Sequence, residues 1–245
     1  MRAYLIRIGV DQAYGQWNGP VDPRTGEFVY VPIPESRPMR PEFRRTYQEL
    51  IPSLAAFDRR HPGAPRSSVT LPGALVPQQI HLDPDFAHLT YGDSGTHRGK
   101  GLTELGKDDL LVFYAGLKPI APCEHRLVYA LIGLYRIDEV VRAGSVPSSR
   151  WAENAHTRCI ETEASDVVVR GQAGNSGRLT RCIPMGEFRE KAYRVQNPIL
   201  DAWGGLSCKN GYLQRSAVLP TFREPAKFMR WFEAQQPELM SANNV

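Results

Sequence analysis

Two stretches of the chain are almost continuously apolar, and they predict the centre of a β-sheet. Asp109–Ala115 reads DLLVFYA and Arg126–Arg136 reads RLVYALIGLYR. A strand that is covered on both faces loses the polar half of its alternation, so both segments are predicted to be buried on two sides. Weaker apolar alternation predicts further strands at Tyr4–Val10, Phe28–Ile33 and Asp166–Arg170.

Helical spacing is confined to three segments, which are Thr46–Arg60, Ser148–Thr157 and Glu224–Gln236. Strands come first and short mixed elements follow, without the regular alternation of a doubly wound parallel sheet. The pattern therefore predicts an α+β fold in one compact domain over residues 1–245. We expect a strongly curved mixed or antiparallel sheet, or a small barrel, with a few peripheral helices.

Composition supports this class and excludes several others. The 245 residues are 42% hydrophobic and 23% charged, which is ordinary for a globular protein. The 21 glycines and 20 prolines favour short strands and turns over a helix bundle. The apolar stretches are too short for a membrane span, no signal-peptide pattern follows the N-terminus, and the four cysteines have no close pairing. We predict a cytoplasmic protein with reduced thiols and no membrane partner.

Positive charge is concentrated in two segments, Ser36–Arg66 and Arg170–Arg194, although the whole chain carries only +4. Arginine forms forked hydrogen bonds to phosphate and is common in nucleic-acid-binding proteins. A GC-rich genome or a solvated surface explains the same arginines equally simply. The candidate contacts to a phosphate backbone are Arg44, Arg45, Arg59 and Arg60.

Several familiar catalytic and cofactor motifs do not match. Gly95–Gly101 is one residue too short for a phosphate-binding loop, and no Ser or Thr follows Lys100. No dinucleotide-binding glycine fingerprint follows the first strand, and no serine lies in a nucleophile elbow. His156 and Cys159 could place two ligands on one helix face, but no second close pair accompanies them. We predict no metal site, and the cofactor stays unknown.

Three polar loops carry the candidate ligand-binding groups. Asp11–Pro20 is long, and its aromatic and amide side chains could stack on a planar ligand and contact its polar edge. Tyr91–Lys100 could bind an anion through backbone amides, and Trp203–Lys209 adds a third glycine loop with nearby cations. The candidate nucleotide-binding residues are Tyr14, Trp17, Asn18, Tyr91, Arg98, Lys209, Arg215 and Ser216.

The segment Gly9–Pro23 and the following Gly26–Glu35 resemble the nucleotide modification associated domain 3 family. Asp83–Phe86, Leu89–Asp93 and Asp109–Leu117 are also similar to it, as is Gln214–Ser216. The resemblance covers most of the chain and supplies no catalytic residues. It implies association with a system that modifies DNA bases. The expected partners are nucleic acid or a nucleotide, with DNA preferred, and other proteins of such a system.

Residues 100–141 resemble, more weakly, the barrel of PUA-like domains, which include readers of modified bases. That similarity implies a PUA-like core with N-terminal and C-terminal elaborations.

Three functions stay open at this point. The leading hypothesis is recognition of a modified nucleotide or base in a pocket that loop aromatics line. The first alternative is an enzyme that makes or removes a base modification, with Asp11 or Asp93 as general base and His156 as its acid–base partner. The second alternative is a non-catalytic regulatory partner. We expect the Asp11–Pro20 loop to approach the Tyr91–Arg98 loop, with Trp17 and Tyr14 as an apolar wall.

Overall fold

The computed structural model describes residues 1–214 and 218–244. Its strands are β1 Ala3–Arg7, β2 Pro20–Val21, β3 Ile33–Pro34, β4 Ile80–His81, β5 Thr90–Asp93, β6 Leu110–Pro119, β7 Val128–Arg142, β8 Val167–Gly171, β9 Gly177–Pro184, β10 Gly186–Arg189, β11 Ala192–Val195 and β12 Leu239–Met240. Its α-helices are α1 Ile51–Arg60, α2 Arg66–Val69, α3 Ala155–Arg158, α4 Asn197–Ala202 and α5 Pro225–Ala234. Short 3₁₀ segments are Pro41–Phe43, Tyr47–Leu50, His97–Glu104, Ala143–Ser145, Ser148–Glu153 and Lys209–Gly211.

Within this described part, eight strands form one mixed sheet whose central order is β1-β6-β7-β8-β5. β1 and β2 run parallel to β6 along one of its edges, whereas β6, β7, β8 and β5 pair antiparallel in turn. β9 joins β7, and β12 joins β9. The long β7 therefore connects the part of the sheet around β6 to the part that holds β5.

The sheet is buried on both faces, as the apolar runs of β6 and β7 predict. On β6, Leu111 and Phe113 point into one core with α1, while Leu110 and Val112 point into a second core with α5. The predicted α+β class with a mixed sheet is confirmed.

The predicted strong curvature and barrel closure are wrong. The sheet stays open and separates two cores, instead of closing around one interior. The outer edge of β1 is also covered, because Leu5 N donates to Pro220 O at 2.8 Å and Phe222 N donates to Ala3 O at 3.0 Å.

Several sequence-predicted elements shift in length or type. The Thr46–Arg60 helix divides into the 3₁₀ turn at Tyr47–Leu50 and α1, with Pro52 in the first turn of α1. Phe28–Ile33 is extended, but most of it does not pair with a neighbouring strand. At its centre, the backbone N–H and C=O of Tyr30 form hydrogen bonds with the Asn244 side chain instead, at 2.8 Å each. β9, β10, β11 and β12 were not predicted.

The C-terminal residues reach back to the turn between β4 and β5. Asn243 accepts a hydrogen bond from Phe86 N at 2.8 Å and donates one to Asp85 Oδ1 at 3.0 Å. Asp85 also pairs with buried Arg158 and with His88. Residues more than 150 positions apart in the chain thus fix this turn together.

The cysteines carry no disulfide in the structure, where Cys123, Cys159, Cys182 and Cys208 are all free. Among the helices of the described residues, none has the length and apolarity that crossing a bilayer requires.

Phe232 tests the packing of α5 on the sheet. Its side chain is 2% exposed and stacks on Phe228 in the second core. Phe232→Ala should lower the free energy of unfolding by about 3–5 kcal/mol, measured by chemical denaturation. Phe188→Ala, at a phenylalanine that is 61% exposed, is the matched control and should cost less than about 1 kcal/mol. Equal losses in the two variants would contradict this packing.

Candidate functional site

A pocket of about 240 Å³ opens between the Asp11 loop, β5 and the segments that carry His81 and His156. Its lining is mostly polar and brings together parts of the chain that are distant in sequence. The lining residues are Arg7, Ile8, Gly9, Asp11, Tyr14, Ile33, His81, Asp83, Tyr91, Gly92, Asp93, Ser94 and His156.

Short strands position the first histidine. β3 pairs antiparallel with β4, so that Ile33 lies opposite His81 and the chain after β3 brings Glu35 to the same histidine. Glu35 Oε2 lies 2.6 Å from His81 Nδ1. Burial alone would lower the pKa of His81, but Asp83 and Glu35 beside it raise that pKa to about 9.

The second histidine has the same kind of support. Asp166 Oδ2 lies 3.1 Å from His156 Nδ1 and accepts a hydrogen bond from Arg37 Nη1 at 2.7 Å. Burial raises the pKa of Asp166, but the neighbouring His156 ring and the hydrogen bond from Arg37 outweigh it and hold the pKa at about 2. Both imidazoles therefore turn Nδ1 towards a carboxylate and Nε2 towards the pocket.

Asp83 stands between the two imidazoles and is held by β5 and by Asn154. Gly92 N donates to both Asp83 oxygens, at 2.8 and 2.9 Å, and Asn154 Nδ2 donates to Oδ1 at 3.0 Å. Asp83 Oδ2 lies 3.7 Å from His81 Nε2 and 3.8 Å from His156 Nε2. These two separations are longer than hydrogen bonds.

The other two acids of the pocket, Asp11 and Asp93, form hydrogen bonds or ion pairs with neighbouring residues. Asp11 forms an ion pair with Arg7 at 2.9 Å, and its Oδ1 accepts from the backbone N–H groups of Ala13 and Tyr14 at 2.7 and 2.8 Å. These contacts shape the loop. The contacts of the Asp93 carboxylate include Gly95 N at 3.2 Å and Tyr91 Oη at 3.4 Å.

The structure thus brings five of the predicted site residues into one pocket, which are Asp11, Tyr14, Tyr91, Asp93 and His156. The predicted approach of the Asp11–Pro20 and Tyr91–Arg98 loops occurs at Asp11 and Tyr14, but the predicted wall of Trp17 and Tyr14 does not form. Trp17 is 8% exposed, and with Asn18 it lines a separate cavity of about 910 Å³.

The other predicted residues lie elsewhere. Lys209 lines a third cavity with Arg223. Arg215 and Ser216 lie outside the described residues, and so does the side chain of Arg98. The four candidate phosphate contacts are exposed at the surface, as their charge requires; they are Arg44, Arg45, Arg59 and Arg60.

Sequence reasoning missed His81, Asp83 and the two supporting carboxylates. The spacing His81-Leu82-Asp83 carried a signal, since residues i and i+2 of an extended segment share a face. Together with His156 they form a group whose ligand atoms lie within 4.8 Å of one another, a possible metal centre. Cys159 does not take part: it packs against Met39, and burial raises its pKa to about 11.

Comparison with protein families agrees with the resemblance seen in the sequence. The profile of nucleotide modification associated domain 3 matches residues 2–204. The chain belongs to this family. Every residue that lines the His81–Asp83–His156 pocket lies inside the matched range.

No curated protein and no solved structure gives a significant match. The PUA-like similarity is not confirmed, because the sheet does not close into a barrel. Membership of the family places the chain in the context of a nucleotide modification system.

Gly92 is the backbone point on which this geometry depends. A Cβ there would lie 2.3 Å from His156 Cδ2 and 2.5 Å from Asn154 Oδ1, so a side chain must displace one of them. Gly92→Ala should lower the free energy of unfolding by about 1–3 kcal/mol, measured by chemical denaturation. Gly73→Ala, where nothing lies within 4 Å, should change it by less than about 0.5 kcal/mol. A neutral Gly92→Ala would show that the His156 segment moves freely.

Proposed function

We propose that this protein is an enzyme that acts on a nucleotide or nucleobase within a nucleotide modification system. The observation that supports it is the convergence of Asp11, Asp93 and His156 on one pocket, together with His81 and Asp83. A protein that only recognises a base needs aromatic faces and hydrogen-bonding edges. An enzyme needs groups that transfer protons or hold an ion close to one another, and this pocket is built from such groups.

Asp93 is the best candidate for a general base. Asp11 is committed to Arg7 and to two backbone amides that shape its own loop, which makes it the weaker candidate. Asp93 lines the same pocket as the two imidazoles. His156, oriented by Asp166, offers its Nε2 atom for proton transfer or for binding an ion.

The size and lining of the pocket favour one base over a whole nucleotide. Its volume of about 240 Å³ is below the range of roughly 300–1,000 Å³ that encloses larger ligands. Tyr14, which is 41% exposed, offers the stacking face that we first expected of Trp17. The target would therefore enter as an extruded base of DNA or as the base of a free nucleotide.

Asp93→Asn separates catalysis from recognition. We expect turnover to fall by a factor of roughly 10²–10⁴ while binding changes little, because an amide keeps the shape but cannot accept a proton. Binding is measured by calorimetry with 2′-deoxynucleoside monophosphates and with single-stranded and duplex oligodeoxynucleotides. Product is detected by mass spectrometry of the nucleosides released from the same oligonucleotides.

Asp138→Asn is the matched control, because this exposed acid lies on β7 and does not line the pocket. It should leave both binding and turnover unchanged. Tight binding without product, weakened by Asp93→Asn, would instead support recognition of a modified base. No binding to any of these probes would favour the regulatory partner.

Contact with a nucleic-acid backbone would involve the exposed arginines near α1. On duplex DNA each phosphate contact adds about 0.9 to the slope of log affinity against log salt concentration. Changing Arg44, Arg45, Arg59 and Arg60 to Gln should therefore flatten the slope by up to about 3.6, measured by fluorescence anisotropy over a salt series. The exposed pair Lys107 and Arg230, changed in the same way, is the control. An unchanged slope in the fourfold variant would assign these arginines to a solvated surface.

A further inference from the structure

We propose that His81, Asp83 and His156 bind one divalent transition-metal ion of the first row, with its remaining coordination positions open to the pocket. The inference deepens the proposed function, because it places the ion in the pocket where that function puts the substrate. Its evidence is the orientation of the three side chains, the carboxylates behind them and the charge that they enclose.

The three facing atoms are His81 Nε2, His156 Nε2 and Asp83 Oδ2. Behind them, each Nδ1 lies close to a carboxylate, Glu35 Oε2 at 2.6 Å for His81 and Asp166 Oδ2 at 3.1 Å for His156. With both rings neutral, as metal ligands must be, the two Nε2 atoms present lone pairs towards Asp83 Oδ2, at 3.7 and 3.8 Å from it. A cation at this point would replace the proton that the two carboxylates otherwise favour on His81.

The separations are close to those of ligands around one ion. Ligands bound at about 2.1 Å in tetrahedral directions are about 3.4 Å apart. The two distances from Asp83 Oδ2 exceed this by a few tenths of an ångström, and all three ligand atoms lie within 4.8 Å of one another. Side-chain rotations that bring the widest of these pairs together would close the site around an ion.

The surrounding groups are those that metal sites require. Histidine ligands nearly always donate their other ring N–H to a carboxylate or a carbonyl, which fixes the ring and its tautomer. His81 has such a carboxylate in Glu35, Asp166 Oδ2 lies 3.1 Å from His156 Nδ1, and Asp83 is itself held by Gly92 N and by Asn154.

The charge of the cluster matches a divalent cation. Glu35, Asp83 and Asp166 are three carboxylates, of which Arg37 balances one. With both imidazoles neutral, as ligands of an ion require, two negative charges are left in carboxylates that are nearly inaccessible to water. Two imidazoles and one carboxylate favour Mn²⁺, Fe²⁺, Co²⁺ or Zn²⁺ over Mg²⁺ and Ca²⁺, which take oxygen ligands.

The site is open on one side only. β5 and Asn154 cover the back of Asp83, while the pocket with Asp93 and Tyr14 lies in front. Three protein ligands with free positions towards a cavity are typical of catalytic metal centres, whereas structural sites are closed by a fourth side chain. A substrate atom or water would complete the coordination.

Metal binding alone tests the inference on the full chain. After removal of metal with a chelator, titration with Co²⁺ and Mn²⁺, followed by visible absorption, calorimetry and elemental analysis, should give one ion per chain. His81→Gln and His156→Gln should each weaken binding at least about 100-fold, and Asp166→Asn about 10- to 100-fold. His61→Gln is the control: His61 also contacts two carboxylates, Asp22 and Glu27, but lies outside the pocket. It should bind the ion like the unaltered protein.

Paramagnetic broadening locates the ion without any substitution. Mn²⁺ should first broaden the amide resonances of Gly92 and Asn154, which adjoin Asp83, and leave those of Asp22 and Glu27 sharp. Failure to bind one ion, binding unchanged in both folded histidine variants, or broadening centred elsewhere would each overturn the inference. If nucleoside chemistry persists in the chelator, the metal inference fails and the proposed enzyme stands. If the ion binds and no nucleotide does, the metal inference stands and the proposed enzyme fails.

Discussion

Burial of β6 on both faces is the constraint on which the rest of the structure depends. Its side chains point alternately into two separate cores, so other helices and loops must cover each face of the sheet. α5 and the residues around Trp203 cover one face, and α1 with the segment from Leu71 to Tyr91 covers the other. The pocket lies beside this second layer. Its acids and imidazoles are therefore carried on short strands and loops, while the buried strands give them a rigid base.

The division between prediction and structure follows from how far each signal extends along the chain. β6 and β7 were predictable because eight or more apolar residues in succession allow few other structures. β9 was not predictable, because Arg178 and Arg181 interrupt its apolar pattern. In the structure the Arg178 side chain is nevertheless buried against the Phe28 ring. Barrel closure depends on which strand edges meet, and no local pattern contains that information.

In the candidate site, too, local sequence patterns identified single residues but not the contacts between distant parts of the chain. Asp11, Asp93 and His156 were recognisable from residue type and loop position, and the fold brings them together. Trp17 has the chemistry of a stacking residue, but its indole fills space beneath the loop and donates to Ser67 O at 3.3 Å. His81 and Asp83 were passed over because β4 is only two residues long and ends at His81. Their supporting carboxylates, Glu35 and Asp166, lie just after β3 and just before β8. Such a group is visible only after tertiary contacts are known.

The hydrogen bonds of Asn243 and Asn244 have a consequence for the order in which the protein matures. They tie Asp85, Phe86 and Tyr30 to residues at the far end of the chain. During synthesis the turn between β4 and β5 must wait for these asparagines, although its own residues leave the ribosome much earlier. Until then Asp85 and Phe86 N lack the partner that Asn243 provides. The turn beside Asp83 therefore reaches its final hydrogen bonding only after more than 150 further residues have been made.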